Sequence, residues 1–110
     1  MRDAPVLPRR LRELRTKKGL SQEQLGILAG IDECSASARM NQYERGKHTP
    51  DYGTVCRLAA VLDVPVAFFY AEDDAEAELL LLFSAMPRAF KRQLLAALRK
   101  TTEGNGSPQA

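Results

Sequence analysis

Hydrophobic residues recur at intervals of three and four along most of the chain, which is the spacing of one face of an α-helix. The first such stretch runs through Leu7, Leu11 and Leu14, with charged residues between them. Pro8 suits a first helical turn, and Gly19 suits the left-handed residue that commonly follows a helix. The pattern therefore predicts a first helix between Pro8 and Gly19.

A second helix is predicted from Ser21 to Gly30. Ser21 and Gln24 match the capping-box pattern, in which each side chain bonds the backbone N–H of the other residue. Leu25 and Leu28 supply the apolar face that this helix needs in order to pack.

Three more helices follow in the prediction. The third ends at Gly46 and carries Met40 and Tyr43 on its apolar face. The fourth begins after Asp51, a residue type that caps helix N-termini, and stops before Pro65. Pro65 then begins a short fifth helix that is rich in aromatic residues.

The C-terminal part predicts one or two amphipathic helices. Five acidic residues between Glu72 and Glu78 favour a helix at about 75–85, because negative charge stabilises a helix N-terminus. Beyond Pro87, apolar residues again alternate with Arg and Lys at helical spacing. From Thr101 the chain is rich in Gly, Asn and Ser, so a disordered tail is expected there.

No stretch shows the strict alternation of a β-strand, so the predicted fold class is all-α. We divide the chain into a flexible N-terminus (1–6), a five-helix domain (7–71), a C-terminal helical segment (72–100) and a disordered tail (101–110).

Composition excludes several classes of protein. With 110 residues, 45% hydrophobic and 27% charged, the chain suits one small globular domain. Its most hydrophobic run, Leu79–Phe83, is far shorter than the roughly 20 residues that cross a bilayer, and no secretory signal is visible. Cys34 and Cys56 match no metal-binding or redox spacing. A cytoplasmic protein without a membrane segment is expected.

The charge is unevenly distributed along the chain. Residues 1–60 carry eleven Lys and Arg against seven Asp and Glu, whereas residues 61–110 carry five against seven. An anionic partner for the N-terminal half is therefore indicated.

Nothing in the sequence points to catalysis. His48 is the single histidine, and neither a Ser/His/Asp set nor a phosphate-binding loop is present. We expect no enzymatic activity, metal site or cofactor. The segment 75–100 is also too short to form a ligand-binding domain, so no small-molecule ligand is expected.

Two segments carry a family resemblance. LRELRTKKGLSQEQLGILAGI and MNQYERGKHTPDYGTVCRLAAVLDVP resemble the phage repressor–Cro (XRE) family of helix-turn-helix proteins, over about residues 7–70. The signal is specific because several independent features occur in the family's order. The resemblance implies a five-helix repressor-like domain that binds double-stranded DNA.

The third helix, at about 36–45, then becomes the recognition helix, which lies in the DNA major groove. Counting back from Gly46, the resemblance places the base-reading positions at Ser37, Ala38, Asn41 and Gln42. Asn and Gln side chains can bond N6 and N7 of adenine together, which suits such a role.

Further residues occupy positions that the family uses for other purposes. Expected DNA phosphate contacts are Ser21, Gln22, Arg39, Arg45, Lys47, His48 and Thr49. Arg15 and Glu44 resemble a family ion pair that joins the first helix to the end of the third, where a guanidinium can hold a carboxylate through two hydrogen bonds.

The spacing departs from the family pattern. Gln22 and Glu44 are 22 positions apart, about four more than usual, and the surplus lies in DECSASAR before Met40. One alternative is a longer turn with Ser35 capping a helix of normal length. The other is a third helix with about one additional turn at its N-terminus. We favour the longer turn, because Asp and Ser suit caps and turns.

The apolar C-terminal helices allow two interpretations. The last helix can fold back and cover the leucines before it, or both can form a dimer interface. Dimerisation is attractive because two copies read two half-sites of an inverted repeat. The expected interface residues are Leu79, Leu80, Leu82, Phe83, Phe90 and Leu94.

The predicted function is a dimeric, sequence-specific transcriptional repressor of a bacterium or prophage. One alternative is an antitoxin or a restriction–modification controller with the same fold. Another is a protein-interaction adaptor that no longer binds DNA. The amides of Gln22, Asn41 and Gln42, together with Lys47, favour DNA binding over the adaptor.

Overall fold

The computed structural model describes residues 4–104, and all regular structure in that range is helical. The all-α prediction is therefore confirmed. The elements are α1 (Leu7–Lys17), α2 (Gln22–Leu28), α3 (Ala36–Glu44), α4 (Tyr52–Leu62), a 3₁₀ helix (Val66–Tyr70), α5 (Asp74–Ala85) and α6 (Arg88–Gly104). None of these helices is both long enough and apolar enough to cross a membrane.

One core holds the first five elements together. Each element contributes a side chain that is at most 1% exposed: Leu11, Leu25, Met40, Leu58 and Phe69 in chain order. Burying an apolar side chain of this size contributes about 1.5–3 kcal/mol. The position of α3 is thus determined by the same contacts that stabilise the fold.

Local signals start and stop the helices where the sequence indicates. Ser21 Oγ accepts a bond from the Gln24 N–H at 2.9 Å, and Gln24 Oε1 accepts one from the Ser21 N–H at 2.8 Å. Asp51 caps α4 by accepting the Thr54 N–H at 2.8 Å, and this bond lowers the pKa of the Asp51 carboxyl. Gly19 follows α1 with φ of +75°.

Two predicted boundaries were wrong. Val6 belongs to the core rather than to a flexible N-terminus, since it is buried and precedes α1 directly. The expected disordered tail is helical as far as Gly104, and within it the hydroxyls of Thr101 and Thr102 donate to carbonyls four residues back, both at 3.1 Å. Residues 1–3 and 105–110, also covered by those predictions, lie outside the described residues.

The surplus residues between the second and third helices lie in the turn. Gly30 adopts φ of +89°, and the next N–H, of Ile31, donates to Gly26 O at 2.9 Å to end α2. Asp32 then orders the following residues, since its carboxylate accepts the Cys34 N–H at 3.0 Å. The first alternative, a longer turn, is therefore the observed one.

Ser35 occupies the position before α3 but does not cap it. Its side chain makes no capping bond, and its backbone N–H donates to Asp32 O at 3.0 Å instead. The helix that follows spans nine residues. The additional residues lie in the turn before α3. Met40 and Tyr43, near the end of α3, are buried as the sequence predicts.

Arg10 attaches α5 to the domain. Its Nε donates to Ala71 O at 2.8 Å, its Nη2 lies 3.0 Å from Asp74 Oδ1, and its guanidinium stacks over the Phe68 ring. Bonds from Arg10 and then from Arg9 lower the pKa of Asp74. The start of α5 is therefore held by charge-assisted bonds as well as by packing.

The last helix does not fold back over the leucines of α5. On α5, Ala77 is buried and Leu81 packs against the core, but α6 has no buried residue. The described chain is elongated, measuring 56 × 35 × 22 Å, with a radius of gyration of 16.8 Å. A compact domain of this size would have about 13 Å. The helices α5 and α6 thus form an arm that leaves apolar side chains exposed.

Candidate nucleic-acid interface

The third helix presents a polar face to solvent. Its inward residues Ala36, Met40 and Tyr43 are buried, as the helical spacing requires. On the outer side, Ser37 and Ala38 are exposed, and Asn41 and Gln42 are partly exposed. The four positions assigned to base reading therefore share one accessible face.

A glycine lets α3 lie close to α2. A Cβ atom placed on Gly26 would lie 2.9 Å from Ala36 Cβ and 3.1 Å from Met40 Cγ, closer than carbon atoms normally approach. Any side chain at Gly26 must therefore displace α3 or distort its packing. The small residues Gly26 and Ala36 therefore set the distance between α2 and α3, and with it the position of the polar face of α3.

The ion pair indicated by the sequence is present. Arg15 Nε lies 2.5 Å from Glu44 Oε2, and Arg15 Nη2 lies 3.0 Å from Oε1. The third guanidinium nitrogen donates to Leu20 O at 2.8 Å. Because the Glu44 side chain is only 2% exposed, these bonds replace the water that it loses on folding.

Gln22 connects this pair to the outer face of α3. Its Nε2 donates to Glu44 Oε1 at 3.1 Å and to Asn41 Oδ1 at 3.3 Å. Both amide hydrogens of Gln22 are thus directed into the protein, a contact that the sequence did not reveal. The bond holds the Asn41 amide in one orientation, with its nitrogen available to an external acceptor.

Two polar cavities lie on opposite flanks of α3. One, of about 300 Å³, is lined by Arg12, Arg15, Gln22, Asn41, Glu44 and Arg45. The other, of about 350 Å³, is lined by Arg39, Gln42, Tyr43, His48 and Thr49. Since each residue of a helix is rotated by about 100° around the axis from the one before, Asn41 and Arg39 project from nearly opposite sides of α3. Each flank therefore offers at least one arginine beside an amide that the sequence predicts to read bases.

Arg12 is a member of this site that the sequence reading missed. It lines the first cavity together with Asn41 and Arg45, and it is exposed. A signal for it existed, because Arg12 precedes Arg15 by three residues and so shares its helix face. Once Arg15 is paired with Glu44, Arg12 must lie near the end of α3.

The loop after α3 is held against the helix end. The backbone N–H groups of Lys47 and His48 both donate to Gln42 O, at 2.9 and 3.3 Å. Four predicted phosphate contacts are exposed here, namely Arg45, Lys47, His48 and Thr49. Ser21 differs, because its backbone N–H and its hydroxyl oxygen already serve the capping box with Gln24.

The predicted interface residues of the arm are all accessible. Leu79, Leu82 and Phe90 are 53%, 60% and 53% exposed, and Leu80, Phe83 and Leu94 are partly exposed. Leu95 and Leu98, which were not among the predicted residues, add to the apolar surface of α6.

Comparison with known proteins decides the family. A family model described as "Helix-turn-helix domain" matches residues 7–67, which is more than half of the chain. The chain belongs to the helix-turn-helix family. The resemblance to repressor–Cro proteins is confirmed with it, and the matched range contains α1 to α4 and the described cavities.

Two relatives of this helix-turn-helix protein are informative. An uncharacterized HTH-type transcriptional regulator of Bacillus subtilis (strain 168), RghRB, is 45% identical over 56 residues. That match covers 50% of this chain but only 37% of the relative, so the chain spans little more than a third of it. The crystal structure of the transcriptional regulator BswR matches with a TM-score of 0.83 and 45% identity. The match covers 90% of this chain and 98% of the BswR chain, so the structural similarity extends to the C-terminal helices.

Proposed function

We propose that this helix-turn-helix protein is a dimeric, sequence-specific transcriptional repressor that reads the DNA major groove with α3. The observation that carries the proposal is the outer face of α3, where Asn41 and Gln42 each line a polar cavity that also contains at least one arginine. The relatives named as transcriptional regulators support the same function.

The amides on this face suit base recognition. In the major groove, adenine offers the N7 acceptor and the N6 donor, and one carboxamide can bond both. Asn41 is oriented in advance by its bond from Gln22, so less conformational freedom is lost on binding. Ser37 and Ala38 lie nearer the helix N-terminus, where a hydroxyl can bond a base edge and a methyl can contact thymine.

The flanking cations suit the two phosphate backbones that border the groove. On one flank the cavity holds Arg12 and Arg45, and on the other it holds Arg39 with His48 and the Thr49 hydroxyl. Contacts of this kind give affinity and salt dependence, whereas contacts to bases give sequence preference. The arrangement therefore combines both kinds of contact on one surface.

The exposed arm supports a homodimer. One domain of this size reads few base pairs, and two copies that read half-sites about 34 Å apart combine their preferences. A monomer would leave Leu79, Leu82 and Phe90 in water, each more than half exposed. Covering them with a second copy removes this apolar surface and relates the two recognition helices by a twofold axis.

Selection of bound duplexes from a random DNA library tests the proposal. An enriched inverted repeat is expected for the full chain. The Gln42→Ala variant should lose about 1–3 kcal/mol on the selected site and almost nothing on random DNA. Absence of any enriched sequence would overturn the function, and enrichment of a single half-site would overturn the dimeric mode of reading.

A further inference from the structure

Both helices of the arm carry apolar side chains that the described chain leaves exposed or only partly covered. We call Leu79, Leu82 and Phe83 the α5 stripe, and Phe90, Leu94, Leu95 and Leu98 the α6 stripe. Leu82 is 60% exposed and Leu98 is 48% exposed, and no residue of α6 is buried. The two stripes belong to adjacent helices but do not pack on each other.

The short connection explains why the stripes stay apart within one chain. Only Met86 and Pro87 separate the end of α5 from the start of α6. Met86 has φ of −75° and ψ of 148°, the extended conformation that a following proline favours. Beside this turn, Lys91 of α6 lies over the Phe83 ring of α5. Beyond it, α6 leads away from α5.

The stripes have flanks of opposite charge. Viewed down α5, Glu76 and Glu78 lie on the two sides of the α5 stripe, and Asp74 is already paired with Arg9 and Arg10. On α6, Arg92 and Arg99 lie seven residues apart beside Leu95. Within residues 4–104, no salt bridge involves a cation of α6 or either of these two glutamates.

This distribution discriminates between possible partners for each stripe. If two copies packed α5 on α5 and α6 on α6, like charges would face each other across both contacts. Packing α5 on α6 brings the glutamates towards the arginines, and such flanking charges select the partner of an apolar seam. The stripes supply apolar area in every arrangement, so the charges decide which arrangement forms.

We propose that α5 of one copy packs against α6 of a second copy, and that the twofold-related contact of α6 with the partner's α5 completes the homodimer. The inference rests on the proposed dimeric function and specifies how the dimer is built. A helix of 17 residues is about 26 Å long, which is sufficient to lie along the 12 residues of a facing α5. Each copy thereby contributes both halves of an isologous interface.

Charge exchange in the full chain tests this pairing at low salt, with sedimentation velocity and native mass spectrometry. The variant Glu76→Lys, Glu78→Lys places cations against cations in both contacts. The variant Arg92→Glu, Arg99→Glu places anions against anions. Each variant alone should dimerise roughly ten-fold more weakly than the natural chain. A chain that carries all four changes should dimerise like the natural chain, because every facing pair is again of opposite sign.

A matched control reverses two acids elsewhere. Glu23→Lys with Glu33→Lys changes the net charge by the same amount as the Glu76→Lys, Glu78→Lys variant, at exposed positions of α2 and the following turn, and it should leave dimerisation unchanged. Circular dichroism of all variants checks that the helices are retained.

The outcomes separate this inference from the proposed function. Dimerisation of the natural chain that is unaffected by either charge reversal would overturn the α5–α6 pairing while leaving the dimer in place. Failure of the four-change chain to recover would also overturn the pairing. A natural chain that stays monomeric at every concentration would overturn the dimer itself.

Discussion

The amide nitrogen of Gln22 donates a hydrogen bond to Asn41 Oδ1 at 3.3 Å, joining the start of α2 to the outer face of α3. The same nitrogen bonds Glu44, which is held in turn by Arg15. A buried ion pair, the Gln22 amide and the Asn41 amide, which is predicted to read bases, thus form one continuous network. In this arrangement Gln22 orients Asn41 and need not itself be the main contact to a phosphate.

Replacing Gln22 by Ala distinguishes these two roles. If Gln22 orients Asn41, Gln22→Ala should weaken the selected operator by about 0.5–1.5 kcal/mol more than it weakens random DNA. If Gln22 only contacts a phosphate, both DNAs should lose equally and the salt slope should fall by about 0.9. Titrations of both DNAs at several salt concentrations measure the difference. The Asn41→Ala, Gln22→Ala pair should show less than additive losses in the first case.

Arg12 should contribute affinity without sequence preference. Arg12→Ala is expected to weaken operator and random DNA alike and to lower the salt slope by about 0.9, the effect of one lost phosphate contact. Lys18→Ala removes an equal charge at the exposed residue that follows α1, outside both cavities, and serves as the control. A changed base preference in Arg12→Ala would remove it from the backbone contacts.

The close approach of α2 and α3 should make Gly26 intolerant of a methyl group. Gly26→Ala is expected to lower the free energy of unfolding by about 1–3 kcal/mol, because the new Cβ meets Ala36 at 2.9 Å. Chemical denaturation measures the loss. Ala36→Gly in the same chain removes the facing methyl and should restore part of it, so equal losses in the single and double variants would contradict the steric explanation.

The Arg10–Asp74 contact should make attachment of the arm depend on pH. Since bonds from Arg10 and Arg9 lower the pKa of Asp74, its stabilisation is fully present above the ordinary value and is lost as pH falls through the lowered one. Asp74→Asn should therefore reduce hydrogen-exchange protection at the start of α5 at about pH 7, and the difference should vanish as the pH falls through the lowered pKa of Asp74.

Asp73→Asn is the matched control for that experiment. Asp73 is exposed and precedes α5 without making a capping bond, so its replacement should leave protection unchanged. A difference between the natural chain and Asp74→Asn that persisted unchanged at acidic pH would contradict the electrostatic origin of the attachment.

Much of the fold followed from local chemistry. The capping box at Ser21, the cap at Asp51 and the glycine after α1 each act within a few residues, so the sequence alone was sufficient to place them. The orientation of α3 also followed, because Met40 and Tyr43 are apolar at helical spacing and the helix end is marked by Gly46.

The features of the site that the sequence did not predict depend on contacts between distant segments of the chain. The inward amide of Gln22 and the nearness of Arg12 to Asn41 arise only when α1, α2 and α3 pack together. Whether α6 folds back on α5 could not be predicted from the sequence for a similar reason. An amphipathic helix requires a partner surface, but its pattern does not say whether that surface lies in the same chain.

The turn between α2 and α3 has a practical consequence for recognising such proteins. Its additional residues bond among themselves, through Asp32 with Cys34 and Ser35, and leave the helices on either side in place. Equivalent positions of α3 are therefore defined by distance from Gly46 and not by distance from Gln22. A search pattern that keeps the family's usual distance from Gln22 would place the predicted DNA-reading positions about four residues too early, whereas one that allows a turn of variable length and is also anchored at Gly46 would find Asn41 and Gln42.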